Sequence, residues 1–138
     1  PQKVSLDGKD FLVEAEEKRL FDEAMAIVRA SDFPGAASAL QNFLRRYPQS
    51  GYGDSARFWL GNAHYGKREL REAITMFRTF IANAPDHARV PEAMLSIANS
   101  QAESKDTKSA RATLGELLRK YPQSDAAQAG KERLAVLK

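Results

Sequence analysis

The chain has 138 residues, the length of one domain, and its 43% hydrophobic and 28% charged content excludes wholesale disorder. The absence of cysteine rules out disulfides, thiolate metal sites and cysteine nucleophiles, and leaves the compartment open. The net charge of +3 is spread along the chain without a basic block, and no apolar run approaches the ~18 residues of a membrane span, so neither nucleic-acid binding nor direct membrane insertion is expected.

Residues 1–13 read as an N-terminal extension. No leader peptide opens it, and Pro1-Gln2-Lys3-Val4 runs into a polar segment as in a mature or truncated fragment. An Asp7-Gly8 pair between short apolar runs suggests a small hairpin. A lone hairpin is marginal in water, so this segment is either disordered or ordered by docking. Glu14, Glu16 and Glu17 then gather where negative charge suits a helix N-terminus. Leu20, Ala24, Ile27 and Val28 make a helical stripe, Ser31-Asp32 caps the next helix before Pro34, and Ala36, Leu40, Phe43, Leu44 and Tyr47 make a second stripe.

The pattern then repeats. Ala56, Leu60, Ala63 and His64 share a face, Gly66-Lys67-Arg68 breaks the helix, and Leu70, Ala73, Ile74, Phe77, Phe80 and Ile81 share the next face. Met94, Ile97 and Ala98 precede a break at Ser104-Lys105-Asp106, followed by Ala110, Leu114, Leu117, Leu118 and Tyr121. Pro48, Pro85 and Pro122 stand 37 residues apart, and Leu44-Arg45-Arg46-Tyr47-Pro48-Gln49-Ser50 returns as Leu118-Arg119-Lys120-Tyr121-Pro122-Gln123-Ser124. A fixed period of this size signals stacked helical repeats. Residues 125–138 read as a capping helix, with Ala127, Leu134 and Leu137 inward and Gln128, Lys131, Glu132 and Lys138 in water.

The middle unit resembles a tetratricopeptide (TPR) repeat. Leu60-Gly61, then Ala73 and Phe77, then Pro85 fall at the pattern's positions, although Arg57 and His64 replace its Trp and Tyr. The expected fold is therefore all-α: an α-solenoid of three TPR helix pairs, near residues 17–50, 54–87 and 91–124, plus the capping helix, with 14–138 as one TPR domain. Small residues such as Gly61, Ala73, Ala98 and Ala110 allow close approach of helix axes, and Phe77 and Leu114 fill the space beside them. Glu23 and Gln101 put polar groups at packing positions, where looser packing is expected.

A closer likeness rests on Phe58-Trp59-Leu60-Gly61-Asn62-Ala63-His64-Tyr65, on Pro91-Glu92-Ala93-Met94-Leu95, and on the tail from Tyr121-Pro122-Gln123-Ser124 to Glu132-Arg133-Leu134. These runs resemble the C-terminal domain of the Tol–Pal-associated periplasmic TPR family of cell-division coordinators (the YbgF/CpoB family). The resemblance implies a periplasmic, non-catalytic protein that binds a TolA-type partner. It also implies coordination of outer-membrane constriction with septal peptidoglycan synthesis, with a septal peptidoglycan synthase and its lipoprotein activator as further partners. That family carries a signal peptide and a trimerising coiled coil, which this chain lacks, so a homotrimer belongs to a full-length form. The alternative is the TPR lipoprotein family that scaffolds β-barrel assembly at the outer membrane and shares the "YP-x-S" turns.

A TPR stack lines its groove with the first helix of each pair. The groove residues expected here are Phe21, Met25, Val28 and Arg29, then Phe58, Trp59, Asn62 and Tyr65, then Leu95, Asn99, Ala102 and Glu103. Phe21 and Leu95 suit core packing as well as groove exposure. Trp59 is the only Trp and suits an anchor, while Arg29 also suits a solvated surface. Asn62 and Asn99 stand 37 apart and can both donate to and accept from a peptide backbone, or else bond helix ends or water.

No catalytic site is expected. The chain has two histidines: His64 falls at a packing position and His87 in a solvated turn. No nucleophile–base pair, phosphate loop or metal-ligand spacing occurs, so neither metal nor cofactor is expected.

Overall fold

The computed structural model describes residues 1–137, and Lys138 of the expected capping helix lies outside them. The chain divides into two compact units, residues 1–69 and residues 70 onward. The first holds strands β1 (Gln2–Leu6) and β2 (Lys9–Val13) and helices α1 (Ala15–Arg29), α2 (Phe33–Arg46) and α3 (Gly53–Gly66). The second holds α4 (Leu70–Asn83), α5 (Val90–Glu103), α6 (Thr107–Lys120) and α7 (Asp125–Val136).

In the first unit, β1 and β2 pair antiparallel across Asp7 and Gly8, whose φ of 53° and 78° give the left-handed two-residue turn that Asp-Gly favours. Alternation puts Phe11 and the buried Val13 on one face and leaves Leu12 exposed on the other. The hairpin is ordered because Phe11 docks edge-on against Tyr52, with ring centroids 5.0 Å apart. Tyr52 in turn stacks on Phe21 at 4.1 Å and meets Phe43 at 6.1 Å. Gly51 is required at this joint, because a Cβ there would run into the Phe11 ring.

Helix α1 packs on α2, and α2 on α3. The Glu14 amide donates to Glu17 Oε1 at 2.9 Å at the start of α1. Asp32 caps α2 by accepting from the Gly35 amide at 3.0 Å. Ala24, Leu40, Phe43 and Ala56 are fully buried and form the core of this unit.

In the second unit, α5 packs between α4 and α6, and α7 closes on α5 and α6. Ala73, Phe77, Phe80, Ala93, Ala98, Ala110, Leu114 and Leu117 are completely buried. The repeat period recurs in this burial, since Leu40, Phe77 and Leu114 stand 37 apart and are all sealed from water. Asp106 caps α6 through the Ser109 amide, and Ser124 caps α7 through the Ala127 amide.

The polar packing positions are satisfied rather than loose. Gln101 is buried, and its Oε1 accepts from Thr113 Oγ1 at 2.7 Å. Glu23 is exposed and pairs with Arg19 at 2.6 Å. His64 is buried, as its packing position implies, with Nδ1 2.8 Å from Glu69 Oε1. His87 departs from the expected solvated turn: it is half-buried, its ring lies edge-on to Phe80 at 5.0 Å, and its Nδ1 accepts from the Arg89 amide at 3.0 Å.

The end of each first helix uses one device. Ser31, Arg68 and Lys105, again 37 apart, take left-handed φ of 58°, 65° and 70°. The following amide bonds five residues back each time: Asp32 to Ile27, Glu69 to His64 and Asp106 to Gln101. This is the helix-terminating geometry that glycine usually serves. A side chain there carries a steric cost of about 1–2 kcal/mol, partly offset by the smaller entropy it loses relative to glycine.

Ser31→Gly, Arg68→Gly and Lys105→Gly are therefore each expected to raise stability by about 0.5–1 kcal/mol in chemical denaturation. Phe77→Ala, which empties a sealed site, is expected to cost about 3–5 kcal/mol. The Glu69 carboxyl is held below its ordinary 4.5 chiefly by the hydrogen bond from His64, then by that from Lys67. Its stabilising effect is complete above that value and is lost as the pH falls through the lowered one. Glu69→Gln should flatten this part of the acid limb in a pH series of melting temperatures.

Candidate functional site

The first unit contains a cavity of about 290 Å³ where the C-terminal half of α3 faces the turn between α1 and α2. Trp59, Asn62, Ala63, Tyr65 and Gly66 line it from α3, Val28 and Ser31 from the end of α1, and Phe33 and Ala36 from α2. The spacing 59, 62, 63, 66 is one face of a helix, so α3 presents these groups together. No lining residue carries a carboxylate or a cationic side chain. The site therefore offers aromatic and methyl surface, one side-chain amide, and the hydroxyl groups of Ser31 and Tyr65, which suits an apolar side chain and its peptide backbone.

Phe33 is the feature the sequence reading missed. It is the first residue of α2, it remains 40% exposed, and its ring rests on Gly66 where any Cβ would collide with it. One signal was present: an aromatic residue between the Asp32 cap and Pro34, outside the stripe that packs α2. Trp59 stands edge-on to Phe58 with centroids 5.0 Å apart. Tyr65 lies under the Arg68 guanidinium, 5.7 Å from the ring centre, so the left-handed turn residue also steadies the cavity wall. Asn62 donates Nδ2 to the Phe58 carbonyl at 3.1 Å, which fixes its rotamer.

The structure thus brings together Val28, Trp59, Asn62 and Tyr65 of the twelve expected groove residues. Phe58 and Phe21 do not face a groove. Phe58 is fully buried, and Phe21 is 5% exposed between Tyr52 and Phe43. The reason is that α3 is packed on more than one side, burying eight of its 14 residues, so a second stripe is core. Met25 is half-buried and Arg29 exposed on α1, and neither lines the cavity. Leu95 and Asn99 lie half-buried on α5 of the second unit, and Asn99 Oδ1 is buried without a hydrogen-bond partner among the described residues.

Among the described residues no group of three or more His, Asp or Glu side chains could hold a metal ion, and no helix is long and apolar enough to cross a membrane.

Comparison with known proteins places this geometry. The chain superposes on the TPR domain of Arabidopsis OM64 with a TM-score of 0.70 at 13% identity, covering 86% of this chain and 93% of that one. It superposes equally, at 0.70 and 18% identity, on the TPR2B domain of yeast Sti1 in its pHsp70 complex, covering 88% and 95%. The fold is a TPR fold. In sequence, 57 residues are 39% identical to the cell division coordinator CpoB of Pseudomonas putida, which is 41% of this chain but 21% of that relative. Residues 13–138 match the family described as YfiO, outer membrane lipoprotein. With nearly the whole chain matched, this TPR protein belongs to the YfiO outer membrane lipoprotein family.

Proposed function

We propose that this chain is a non-catalytic periplasmic adaptor of the Tol–Pal system. In this reading it takes a segment of a TolA-type protein through its TPR groove and couples outer-membrane constriction to septal peptidoglycan synthesis in division. The observation that carries the reading is the neutral aromatic cavity formed by Phe33, Trp59, Asn62 and Tyr65, in a chain resembling a cell division coordinator. Trp and Tyr supply large contact area at low entropic cost and recur as binding anchors. The Asn62 side chain, held by its own helix, presents its amide oxygen to a bound backbone N–H. The unpartnered Asn99 Oδ1 supports an equivalent role on α5. A septal peptidoglycan synthase and its lipoprotein activator are further partners of this reading, with homotrimerisation in a longer form.

Calorimetric titration with the purified periplasmic domains of a TolA-type protein tests this. A dissociation constant of about 1 µM is expected for one small uncharged groove. Phe33→Ala and Tyr65→Ala should each weaken binding about tenfold or more while leaving helicity unchanged. Variants that bind like the parent would move the site elsewhere, and no heat at about 100 µM would remove the TolA reading. Phe58→Ala, by contrast, should destabilise the fold by about 3–5 kcal/mol, since its ring is sealed in the core. The family match favours one alternative, a scaffold in an outer-membrane β-barrel assembly complex. Capture of assembly components, without any TolA-type protein, would select it.

A further inference from the structure

The second unit carries its own cavity, of about 320 Å³, walled by α4, α5 and α6. Its floor is apolar. Val90, Met94 and Ile97 line it although they are only 1%, 5% and 4% exposed, which makes it a recess rather than a flat patch. Ile81 of α4 adds half-buried apolar surface beside them.

The rim is ionic and unevenly so. Arg78 on α4 is exposed and has no ion-pair partner among the described residues. Lys120 on α6 faces the same cavity with Nζ 3.4 Å from Glu116 Oε2, so its charge is partly neutralised. The charged residues that line it are Arg78, Lys120 and Glu116, which leaves one positive charge in surplus at the cavity. Such a surplus attracts a negatively charged partner, and one free guanidinium at the mouth matches one carboxylate.

We infer that this recess is a second docking site, which takes an acidic protein segment by burying one bulky apolar side chain on the Val90–Met94–Ile97 floor while Arg78 pairs with a neighbouring carboxylate. The recessed floor favours an anchored peptide over a membrane. A headgroup layer meets a surface with several free cations and does not reach into a walled cavity, and Glu116 repels phosphate at its edge. The cavity in residues 1–69 has no charged lining and cannot supply this selectivity, so the two sites select for different chemistry.

Methionine supplies the reporter, because the chain has three, Met25, Met76 and Met94, and only Met94 lines this cavity. The full chain, labelled at the methionine methyls, is titrated by NMR with a short synthetic peptide that carries a Leu-Phe pair between glutamates. A counterpart with lysines for the glutamates, and phosphatidylglycerol-containing vesicles, run in parallel. The expected result is a saturable shift of the Met94 methyl by the glutamate peptide, with Met25 unmoved. Arg78→Glu, an exposed change that leaves the fold intact, should weaken the glutamate peptide at least tenfold and strengthen the lysine peptide. Equal binding of both peptides, a Met94 signal that does not respond, or perturbation by vesicles in place of peptide would each overturn the assignment.

Discussion

Everything in this chain depends on how a first helix ends. At Ser31, Arg68 and Lys105 the backbone turns left-handed, and the next amide reaches five residues back into the helix it has just left. That contact tightens the end of the helix and sets the direction in which the chain departs. In the first unit it delivers Asp32 to cap α2, and in the second it delivers Asp106 to cap α6. The small residues that follow, Ala36 and Ala110, are then buried against the preceding helix, and Leu40 and Leu114 fall into sealed positions one turn on. The three repeats share the geometry while using Ser, Arg and Lys in place of glycine. The strain is tolerated because the bonds around it over-determine the turn.

The same turn explains two polar residues that sit where apolar ones belong. The position accepting the five-back bond is Ile27, His64 and Gln101 in the three repeats. Burial there is affordable for a polar side chain only with a partner, and each finds one nearby: His64 in Glu69, and Gln101 in Thr113 of α6. The acidic partner of His64 follows the left-handed residue directly, so the turn that ends the helix also satisfies its buried imidazole.

Much of this was legible in the sequence, because the period is strong. The prolines at 48, 85 and 122 mark the repeats, and Ala73-x3-Phe77 identifies their type. The Asp-Gly pair announces a hairpin, although its ordering depends on Phe11 meeting Tyr52 some 41 residues away, a contact no local pattern encodes. The site was read less well. Phe21 and Phe58 look like spare aromatics when one stripe per helix is counted, but α3 buries more than one face, and the buried stripe of α1 runs through Glu17, Phe21 and Ala24 rather than through Leu20, so these rings are spoken for. Phe33 was overlooked for the opposite reason: it sits at a helix start, where no periodicity argument reaches, and its place is set by the missing Cβ of Gly66.

The aromatic joint between the hairpin and the turn at Gly51 and Tyr52 makes the first thirteen residues a lid on the rings of the first unit. The hairpin lies over the edge of the Tyr52–Phe21 stack, turning Lys3, Ser5 and Asp10 outward. Trimming the chain to its helices would strip that lid from a cluster of aromatic rings. The shortened protein would then carry a new adhesive patch, and its tendency to self-associate would come from a contact the intact chain keeps hidden.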